Sequence, residues 1–235
     1  MAERQPVERL SGDGTALYRI PIDYSAYYAV QEAVGSHSRP PALLIAIHGY
    51  GQSCKCFIQN FSALADRNFL VVAPQAINQF YWERGKVGFT WLTKFMREQT
   101  LSDTIDYFER VLRAVEQDFA FDPERVFLMG FSNGAAMAFR LGTSGVVKPA
   151  GIVACCGDLP ADVAERLDGM EPFPVLIAHG KEDSMVNLDK AREAESVLRS
   201  SGFETETLFF DGGHEMGSTE LDRILDWLQE KASPR

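Results

Sequence analysis

Short runs that are apolar at every position recur along the chain, separated by amphipathic or polar stretches. Residues 42–47 read ALLIAI and residues 69–73 read FLVVA. A run without polar positions is typical of a strand covered on both faces, as in a parallel sheet. Further strands are predicted at residues 126–129, 149–155, 174–178 and 205–210. An early strand is predicted at residues 16–22, at a sheet edge because Pro21 has no N–H to donate, and residues 24–30 continue it or pair with it.

Between these strands, the apolar positions follow helical spacing. The clearest helix starts at Ser102 or Asp103, either of which can cap it, and runs to about Asp118. Other helices are predicted at residues 57–66, 135–141, 162–167, 189–200 and 219–230. This alternation of strands and helices predicts right-handed βαβ units, and therefore an α/β fold with a mostly parallel central sheet and helices on both faces. There is no internal repeat and no linker, so residues 1–235 are interpreted as a single domain.

One segment of the chain departs from this alternation. Residues 75–94 mix several aromatic side chains with glycines and charges, and we expect a long loop there. Long loops inside compact domains are often functional, and this one is a candidate for a partial lid. Asp122-Pro123 is expected to interrupt the chain just before the strand at residues 126–129.

Composition and charge narrow the classes of function. The chain has 235 residues, 46% of them hydrophobic, and a formal net charge of −10. A strongly acidic protein is a poor partner for nucleic acid or for an anionic membrane surface. No apolar run approaches the length of a membrane span, and the first residues, MAERQPVERLSGDG, lack the apolar core of a signal peptide. We therefore expect a cytoplasmic protein with no membrane partner.

The four cysteines form two close pairs, Cys54 with Cys56 and Cys155 with Cys156. Neighbouring cysteines bridge poorly with each other, and free thiols are the expectation when no secretory signal is present. The alternative is a metal site built from both pairs, but the usual spacing of two residues within each pair is missing. We expect neither a metal nor a cofactor.

The clearest candidate for chemistry is Gly130-Phe131-Ser132-Asn133-Gly134, which joins the apolar run at residues 126–129 to a helix-forming segment. A serine on a sharp turn from strand to helix projects its hydroxyl from the end of the strand, and this context makes G-x-S-x-G informative. The alternative is a plain glycine-rich turn. The sequence favours Ser132 as a nucleophile.

A serine hydroxyl needs a neutral imidazole to take its proton and a carboxylate to hold that imidazole. His214 follows the last strand on a glycine-containing loop, where the base is expected, and Asp183 follows the strand at residues 174–178. Glu182 and Asp211 are the rival acids. The remaining histidines are expected to be structural or loop residues: His37, His48 and His179.

The oxyanion formed by attack on a carbonyl needs two N–H donors. One is expected from the backbone of Asn133, the residue after the nucleophile. The other is expected from the loop after residues 42–47, with Tyr50 as the first candidate and Gly51 as its rival. A glycine-rich turn without this role is the alternative.

Together, the segments HGYGQS, GFSNG, HGKEDSMV and GGHEM resemble those of α/β-hydrolase serine esterases. Within that fold they are most similar to the phospholipase/carboxylesterase group, which includes enzymes like the acyl-protein thioesterases, and they also resemble polyhydroxybutyrate depolymerases and feruloyl esterases. The resemblance covers roughly residues 42–231. It implies Ser132 as nucleophile, Asp183 as acid and His214 as base, with an oxyanion hole from Tyr50 and Asn133.

The resemblance has two departures. The thioesterase-like members usually carry Gln where this chain has Asn133, and Leu where it has Tyr50. Both positions would act through their backbone N–H groups, so the chemistry is unaffected while the thioesterase assignment is weakened. Dienelactone-hydrolase-type relatives use Cys as nucleophile, and Ser132 sets that reaction aside.

The substrate side is expected to be apolar, with Trp91, Phe89, Met185 and Met216 as candidate lining residues. The alternative for each of them is an ordinary core residue. The function that follows is hydrolysis of small carboxylic esters, short-chain or aromatic, through an acyl-enzyme. An acyl-thioesterase, or a peptidase or amidase, would use the same three residues. A non-catalytic hydrolase-like binding protein is the remaining alternative, disfavoured because all three residues are present. The oligomeric state stays open.

Overall fold

A seven-stranded sheet forms the centre of the structure, a computed structural model that describes residues 8–9, 16–83 and 85–233. The strands are β1 (Glu8–Arg9), β2 (Ala16–Leu17), β3 (Tyr28–Gln31), β4 (Ala42–Ile47), β5 (Phe69–Pro74), β6 (Asn78–Glu83), β7 (Lys86–Thr90), β8 (Asp122–Phe131), β9 (Gly151–Cys155), β10 (Val175–Gly180) and β11 (Thr205–Phe210). The order in the central sheet is β11-β10-β9-β8-β4-β5-β3. All neighbours are parallel except β3, which pairs antiparallel with β5.

Helices cover both faces of this sheet. They are α1 (Cys54–Phe57), a 3₁₀ helix (Ile58–Arg67), α2 (Arg97–Asp118), α3 (Asn133–Gly142), α4 (Ala161–Ala164), α5 (Leu188–Ser200) and α6 (Ser218–Ala232). Buried side chains of α2, α3 and α5 belong to one apolar cluster, and those of α1, the 3₁₀ helix and α6 belong to another. The predicted architecture, a mostly parallel sheet with helices on both faces, is confirmed.

Strand β4 explains why its sequence is apolar throughout. Its six residues are all buried. Leu43, Ile45 and Ile47 pack into the cluster under α2, α3 and α5, while the residues between them pack into the cluster on the opposite face. Because successive side chains of a strand point to opposite faces, only a strand covered on both sides requires such a run.

The N-terminal strand prediction was wrong. Only Ala16–Leu17 is a strand, and it pairs with Glu8–Arg9 in a separate two-stranded ribbon. The edge strand of the central sheet is instead Tyr28–Gln31, and residues 18–25 are mostly exposed coil. The expectation that the chain has no signal peptide depends on residues 1–14. Most of these, residues 1–7 and 10–14, lie outside the described residues. In the part of the chain that is described, no helix is both long and apolar enough to cross a bilayer.

The segment at residues 75–94 is not a loop but contains the antiparallel hairpin of β6 and β7. The sequence signal was present: aromatic and β-branched residues favour strands, and the glycine at position 85 adopts a φ of +84° in the turn. A pleated hairpin is stiffer than a loop, so it forms a wall rather than a lid.

Three further element boundaries differ from the expectation. The predicted helix at residues 57–66 is one turn of α helix followed by a 3₁₀ helix, with the hydroxyl of Ser53 capping the first turn. Helix α2 begins five residues before the earlier of the two expected caps, at Arg97. Strand β8 begins at Asp122 and therefore includes Pro123. The pairing of β8 with β4 shifts register at this point, so the missing N–H of Pro123 interrupts no regular ladder of hydrogen bonds. The other predicted elements are present with slightly different ends.

The carboxyl ends of the parallel strands meet at one edge of the sheet. Ser132 follows β8, Cys156 follows β9 and Asp211 follows β11. Ligands of open parallel sheets bind at this edge, because the helices leave a crevice outside the strand ends. The three residues of the predicted triad and the two predicted oxyanion turns all follow strands at this edge.

Candidate active site

Ser132 lies on a sharp turn between β8 and α3, with φ 55° and ψ −123°. This backbone conformation is rare for a residue with a side chain and costs on the order of 1–3 kcal/mol. The turn is tight because a Cβ at Gly130 would lie 2.2 Å from the carbonyl oxygen of Gly134, and one at Gly134 would lie 2.1 Å from that of Ile47. The two glycines therefore allow helix α3 to pack closely against strand β8 and against the neighbouring strand β4.

The structure brings Ser132, His214 and Asp183 into one hydrogen-bonded chain. Nε2 of His214 lies 2.9 Å from Oγ of Ser132, and Nδ1 of His214 lies 2.8 Å from Oδ2 of Asp183. The carboxylate can only accept at Nδ1, so Nδ1 carries the proton and Nε2 presents its lone pair to the hydroxyl. This is the arrangement that a general base and its orienting acid require.

Asp183 is held by the backbone that follows it. Its Oδ1 accepts hydrogen bonds from the N–H groups of Met185 and Val186, both at 2.8 Å. Burial raises the pKa of this carboxyl group, but the hydrogen bonds from Val186, His214 and Met185 outweigh burial, and the pKa of Asp183 lies below its ordinary value. The group is therefore an anion at neutral pH, with one oxygen fixed by the backbone and the other aimed at His214.

The two rival acids lie elsewhere. Asp211 is exposed and forms an ion pair with Lys181 at 2.7 Å, and Glu182 is exposed. Neither has a hydrogen bond to His214 among the described residues. Although Glu182 is the neighbour of Asp183 in the sequence, its side chain is exposed and is not hydrogen-bonded to His214 in the described structure.

His179 is a fully buried neighbour of the acid. Its Nε2 donates to the carbonyl oxygen of Val186 at 2.8 Å and lies 3.5 Å from Oδ2 of Asp183. Because Val186 also donates its N–H to Asp183, the hydrogen bond from His179 to Val186 stabilises the loop that carries the acid. The sequence predicted a structural role for this histidine, but not that its ring would touch the carboxylate.

His48 is also fully buried and braces the loop that follows β4. Its Nδ1 donates to the carbonyl oxygen of Gly49 at 2.8 Å, while its Nε2 accepts from the N–H of Ala76 at 3.1 Å. The carbonyl oxygen of His48 accepts a hydrogen bond from the indole of Trp91 at 2.7 Å. Burial lowers the pKa of His48 to about 4, more than the hydrogen bond to Gly49 raises it, so this ring is neutral at neutral pH.

The two expected oxyanion donors belong to the turns that follow two neighbouring strands, β8 and β4. Asn133 is the first residue of α3, and the N–H groups of a first helical turn have no partner within their own helix. The backbone hydrogen bonds of the described turn at residues 49–52 leave the N–H of Tyr50 unused, whereas that of Gly51 donates to the carbonyl oxygen of Phe89 at 2.8 Å. Of the two candidates in this turn, Tyr50 alone retains an available donor.

The four candidate substrate-lining residues do not gather in one pocket. Trp91 is 1% exposed and stacks on Phe108 in the core, while Met185 is 75% exposed. Phe89 and Met216 are half-buried and pack against opposite clusters of the core. The sequence could not separate these cases, because an apolar side chain beside a catalytic residue can as easily anchor a loop as line a pocket.

A cavity of about 400 Å³ lies beside the nucleophile turn, and of the four candidates only Trp91 reaches its wall. Ala136 and Met137 of α3 line it, next to Asn133. Its polar side is formed by Arg97 and Asp158, which are exposed, and by Arg140, which is paired with Asp162 at 2.6 Å. The cavity is therefore small and of mixed polarity.

Sequence reasoning missed an aromatic cluster on the hairpin. The ring of Tyr50 stacks on Phe80 with a centroid distance of 4.7 Å, and it lies 5.2 Å from the ring of Trp82. Tyr50 and Trp82 remain about half exposed. The hairpin thus extends an aromatic surface from the oxyanion turn outwards, and only recognition of β6 and β7 as paired strands would have found it.

The second cysteine pair also lies at the site. All four cysteines are unbridged, and only Cys56 is exposed. The thiol of Cys155 contacts Sγ of Cys156 at 4.0 Å; this hydrogen bond lowers the pKa of Cys156 and raises that of Cys155. The position of Cys156 directly after a parallel strand was the available signal for its presence at the sheet edge.

Comparisons with known proteins point to ester hydrolases. Residues 29–232 match the family described as phospholipase/carboxylesterase. Acyl-protein thioesterase 1 of Gibberella zeae is 29% identical over 135 residues, which cover 55% of this chain and 57% of that protein. Lysophospholipase-like protein 1 of Mus musculus is 26% identical over 221 residues, which cover 87% of this chain and 92% of that protein.

These likenesses differ in how much they cover. The chain spans only 57% and 53% of the length of two curated relatives, both named acyl-protein thioesterase 1. The crystal structure of esterase PE8 superposes with a TM-score of 0.74 at 22% identity, covering 88% of this chain and 99% of that one. An identity this low carries the fold and not the substrate.

Proposed function

The chain belongs to the phospholipase/carboxylesterase family and has the α/β-hydrolase fold, and from this premise we propose that it hydrolyses carboxylic esters through an acyl-enzyme on Ser132. The observation that carries the proposal is the hydrogen-bonded chain from Oγ of Ser132 through His214 to Asp183, with distances of 2.9 and 2.8 Å. Serine is a weak nucleophile at neutral pH, and this chain supplies the base that activates it.

In the first half of the reaction, Oγ of Ser132 attacks the ester carbonyl while Nε2 of His214 takes its proton. Asp183 stabilises the imidazolium that forms, since its Oδ2 accepts from Nδ1. The carbonyl oxygen becomes an oxyanion between the N–H groups of Tyr50 and Asn133. His214 then gives its proton to the leaving alcohol, and the acyl group stays on Ser132.

The second half repeats these roles with water. Nε2 of His214 takes a proton from a water molecule, whose oxygen attacks the acyl-enzyme, and the same two N–H groups stabilise the second oxyanion. Collapse of this intermediate returns the proton to Oγ of Ser132 and releases the acid. Each step uses only groups of this chain and water.

A small or aromatic ester fits the surroundings of Ser132 best. The neighbouring cavity measures about 400 Å³, which suits a short acyl or alcohol group. The aromatic cluster of Tyr50, Phe80 and Trp82 provides a second apolar surface beside the oxyanion turn. We propose these two surfaces as the places where the acyl and alcohol parts of the substrate lie.

Hydrolysis of thioesters is the second candidate function. It is favoured by the likeness to acyl-protein thioesterase 1 of Gibberella zeae. The same triad would serve, because a thiolate leaves more easily than an alkoxide and asks less of His214 as an acid. The proposed partner is in either case a small molecule, and the proposed compartment is the cytoplasm, where four unbridged cysteines are stable.

The test is hydrolysis of p-nitrophenyl esters from acetate to palmitate, with methyl ferulate and an acyl thioester in parallel. Ser132→Ala should lower turnover by about 10⁴-fold or more, because nucleophile and base act as a unit. Ser200→Ala, on the exposed side of α5, is the matched control and should keep full activity. Full activity in Ser132→Ala would rule the mechanism out.

The other functions have their own outcomes in this assay. Faster turnover of the thioester than of every ester would assign the thioesterase. Turnover of amides at rates comparable to those of esters would indicate a peptidase or amidase. Failure of a fluorophosphonate to label Ser132 would leave a non-catalytic binding protein.

A further inference from the structure

A third metal-ligating side chain lies against two members of the proposed triad. One ligand atom each of Cys156, Asp183 and His214 lies within 4.8 Å of the other two. Cys156 is fully buried directly after β9, and its N–H donates to the carbonyl oxygen of Ala178 at 2.8 Å. Its sulfur contacts the carbonyl oxygen of Glu215 at 3.5 Å and Sγ of Cys155 at 4.0 Å, so its position next to the imidazole and the carboxylate is defined.

The three donor types are those of zinc. Zn²⁺ binds a cysteine sulfur at about 2.3 Å and a histidine nitrogen or carboxylate oxygen at about 2.0–2.2 Å, so tetrahedral ligands lie about 3.3–3.8 Å apart. The widest separation, 4.8 Å, must therefore shorten by about 1 Å. Nδ1 of His214 and Oδ2 of Asp183 lie 2.8 Å apart in a hydrogen bond, and an ion between them must move them apart by about 0.5 Å. A thiolate and a carboxylate together balance the two charges of the ion, which a buried site requires.

The site also has an entrance. The side chain of His214 is 19% exposed, while that of Asp183 is fully buried. An ion therefore approaches from the side of His214 and meets the buried sulfur and carboxylate behind it. A water molecule from the same side completes four-coordination, as in zinc sites with three protein ligands.

We propose that Cys156, Asp183 and His214 form an inhibitory site for a thiophilic divalent cation such as Zn²⁺, an inference that rests on the proposed function of the triad. The ion binds Nδ1 of His214 in place of its proton, and the neutral imidazole then carries its proton on Nε2. The thiol of Cys156 releases its proton to water as the sulfur binds. With Nε2 protonated, His214 has no lone pair for the hydroxyl of Ser132, and activation of the nucleophile stops.

The experiment measures both binding and reactivity on the full chain. At buffered micromolar free Zn²⁺, ester hydrolysis and fluorophosphonate labelling of Ser132 should both fall at least about tenfold, and a chelator should restore both. Cys156→Ala should keep its basal activity and lose the sensitivity to Zn²⁺. Cys56→Ala removes the exposed thiol and should remain as sensitive as the wild type.

Co²⁺ gives a readout that does not depend on activity. A cobalt–thiolate charge-transfer band should appear in the wild type, in Cys56→Ala and in Ser132→Ala, and be absent from Cys156→Ala. Inhibition by Zn²⁺ that is equal in Cys156→Ala, or a wild type without the band, would overturn the proposal. Labelling of Ser132 that Zn²⁺ blocks, in a protein that hydrolyses no ester, would support the metal site while the proposed esterase function fails.

Discussion

At the scale of single residues, the surroundings of an imidazole ring decide which role a histidine can have. His48, His179 and His214 all lie near the carboxyl edge of the sheet, yet only His214 is reached from outside. His214 meets a hydroxyl and a carboxylate, whereas the ring of His48 meets backbone groups, the side-chain amide of Gln75 and the ring of Trp91. An imidazole held by backbone groups and a neutral amide has one fixed tautomer and no acidic partner, which suits a structural role and not that of a base.

The buried ring of His48 predicts a specific loss of stability in acid. Its pKa is about 4 in the folded protein against 6.5 for an unperturbed histidine, because burial disfavours its charged form. As pH falls from 6.5 towards 4, the unfolded chain binds a proton that the folded protein excludes, so the free energy of unfolding falls. The total loss is about 3 kcal/mol, and it grows no further below the folded pKa.

The measurement is urea unfolding at pH 7 and at pH 4.5, with His48→Gln compared with the wild type. The glutamine carbonyl can still accept from the N–H of Ala76, and it does not titrate, so the variant should lose less stability between the two pH values. His37→Gln, on an exposed loop, is the control and should follow the wild type. An equal pH effect in His48→Gln and the wild type would contradict the prediction.

At the scale of elements, the turn from β8 to α3 is the most constrained junction. Helix α3 contains glycines near both its ends, and they are not equivalent. A Cβ at Gly134 would lie 2.1 Å from the backbone oxygen of Ile47, whereas one at Gly142 would meet the flexible end of Ile152 at 2.6 Å. Backbone inside a parallel sheet cannot move aside, but a methyl group can rotate.

We therefore expect Gly134→Ala to lower the free energy of unfolding by about 3 kcal/mol or more, because α3 must separate from β4. Gly142→Ala in the same helix is the matched control. It should change stability by no more than about 1 kcal/mol, since the gain in helix propensity offsets repacking. Thermal unfolding followed by circular dichroism measures both. Similar losses in the two variants would show that the approach of Gly134 to β4 is not the constraint.

The hairpin of β6 and β7 is the second element that shapes the site. The N–H of Gly51 donates to the carbonyl oxygen of Phe89 in β7, and the ring of Trp82 in β6 covers the backbone of Gly51. The oxyanion turn is thus clamped by an element that is distant in sequence. This contact leaves the N–H of Tyr50 as the free donor of the turn.

At the scale of the whole molecule, two apolar clusters lie on opposite faces of one sheet. They are connected through the strands, whose side chains alternate between the two faces. Neighbouring residues of β4 belong to different clusters: Leu43 packs under α2, α3 and α5, and Leu44 packs on the opposite face. Both side chains are fully buried. If residues 1–235 fold as the single domain that the sequence predicts, removing either side chain destabilises the same unit.

Leu43→Ala and Leu44→Ala should each lower the free energy of unfolding by about 2–5 kcal/mol. In both variants the urea transitions seen by tryptophan fluorescence and by far-ultraviolet circular dichroism should coincide, because Trp91 and Trp227 report the two clusters. Ile22→Ala, at a position 76% exposed, should leave stability nearly unchanged. Separate transitions for the two faces would contradict the single-domain prediction.

The sequence by itself determined the type of fold and singled out three of the side chains that meet at the site. All-apolar runs mark strands covered on both faces, and residues that follow parallel strands must share one edge, so Ser132, Asp183 and His214 were placed near one another by periodicity and position. Both signals, the periodicity of apolar residues and the position of a residue after a strand, can be read directly from the order of residues in the chain. It also indicated the backbone of Asn133 as one oxyanion donor, but it left Tyr50 and Gly51 as rivals for the other, and only the hydrogen bond from Gly51 to Phe89 distinguishes them.

The tertiary structure alone decided which groups touch. Asp183 and not its neighbour Glu182 faces His214, because two backbone N–H groups and the ring of His179 fix its carboxylate. The ligand atoms of Cys156 and His214 lie within 4.8 Å of each other, and Gly51 donates its N–H to Phe89 of the hairpin, through contacts between residues far apart in the chain. Periodicity gives the direction of a side chain but not its partner across the core, since that partner depends on how the strands are ordered and how closely the helices pack on them.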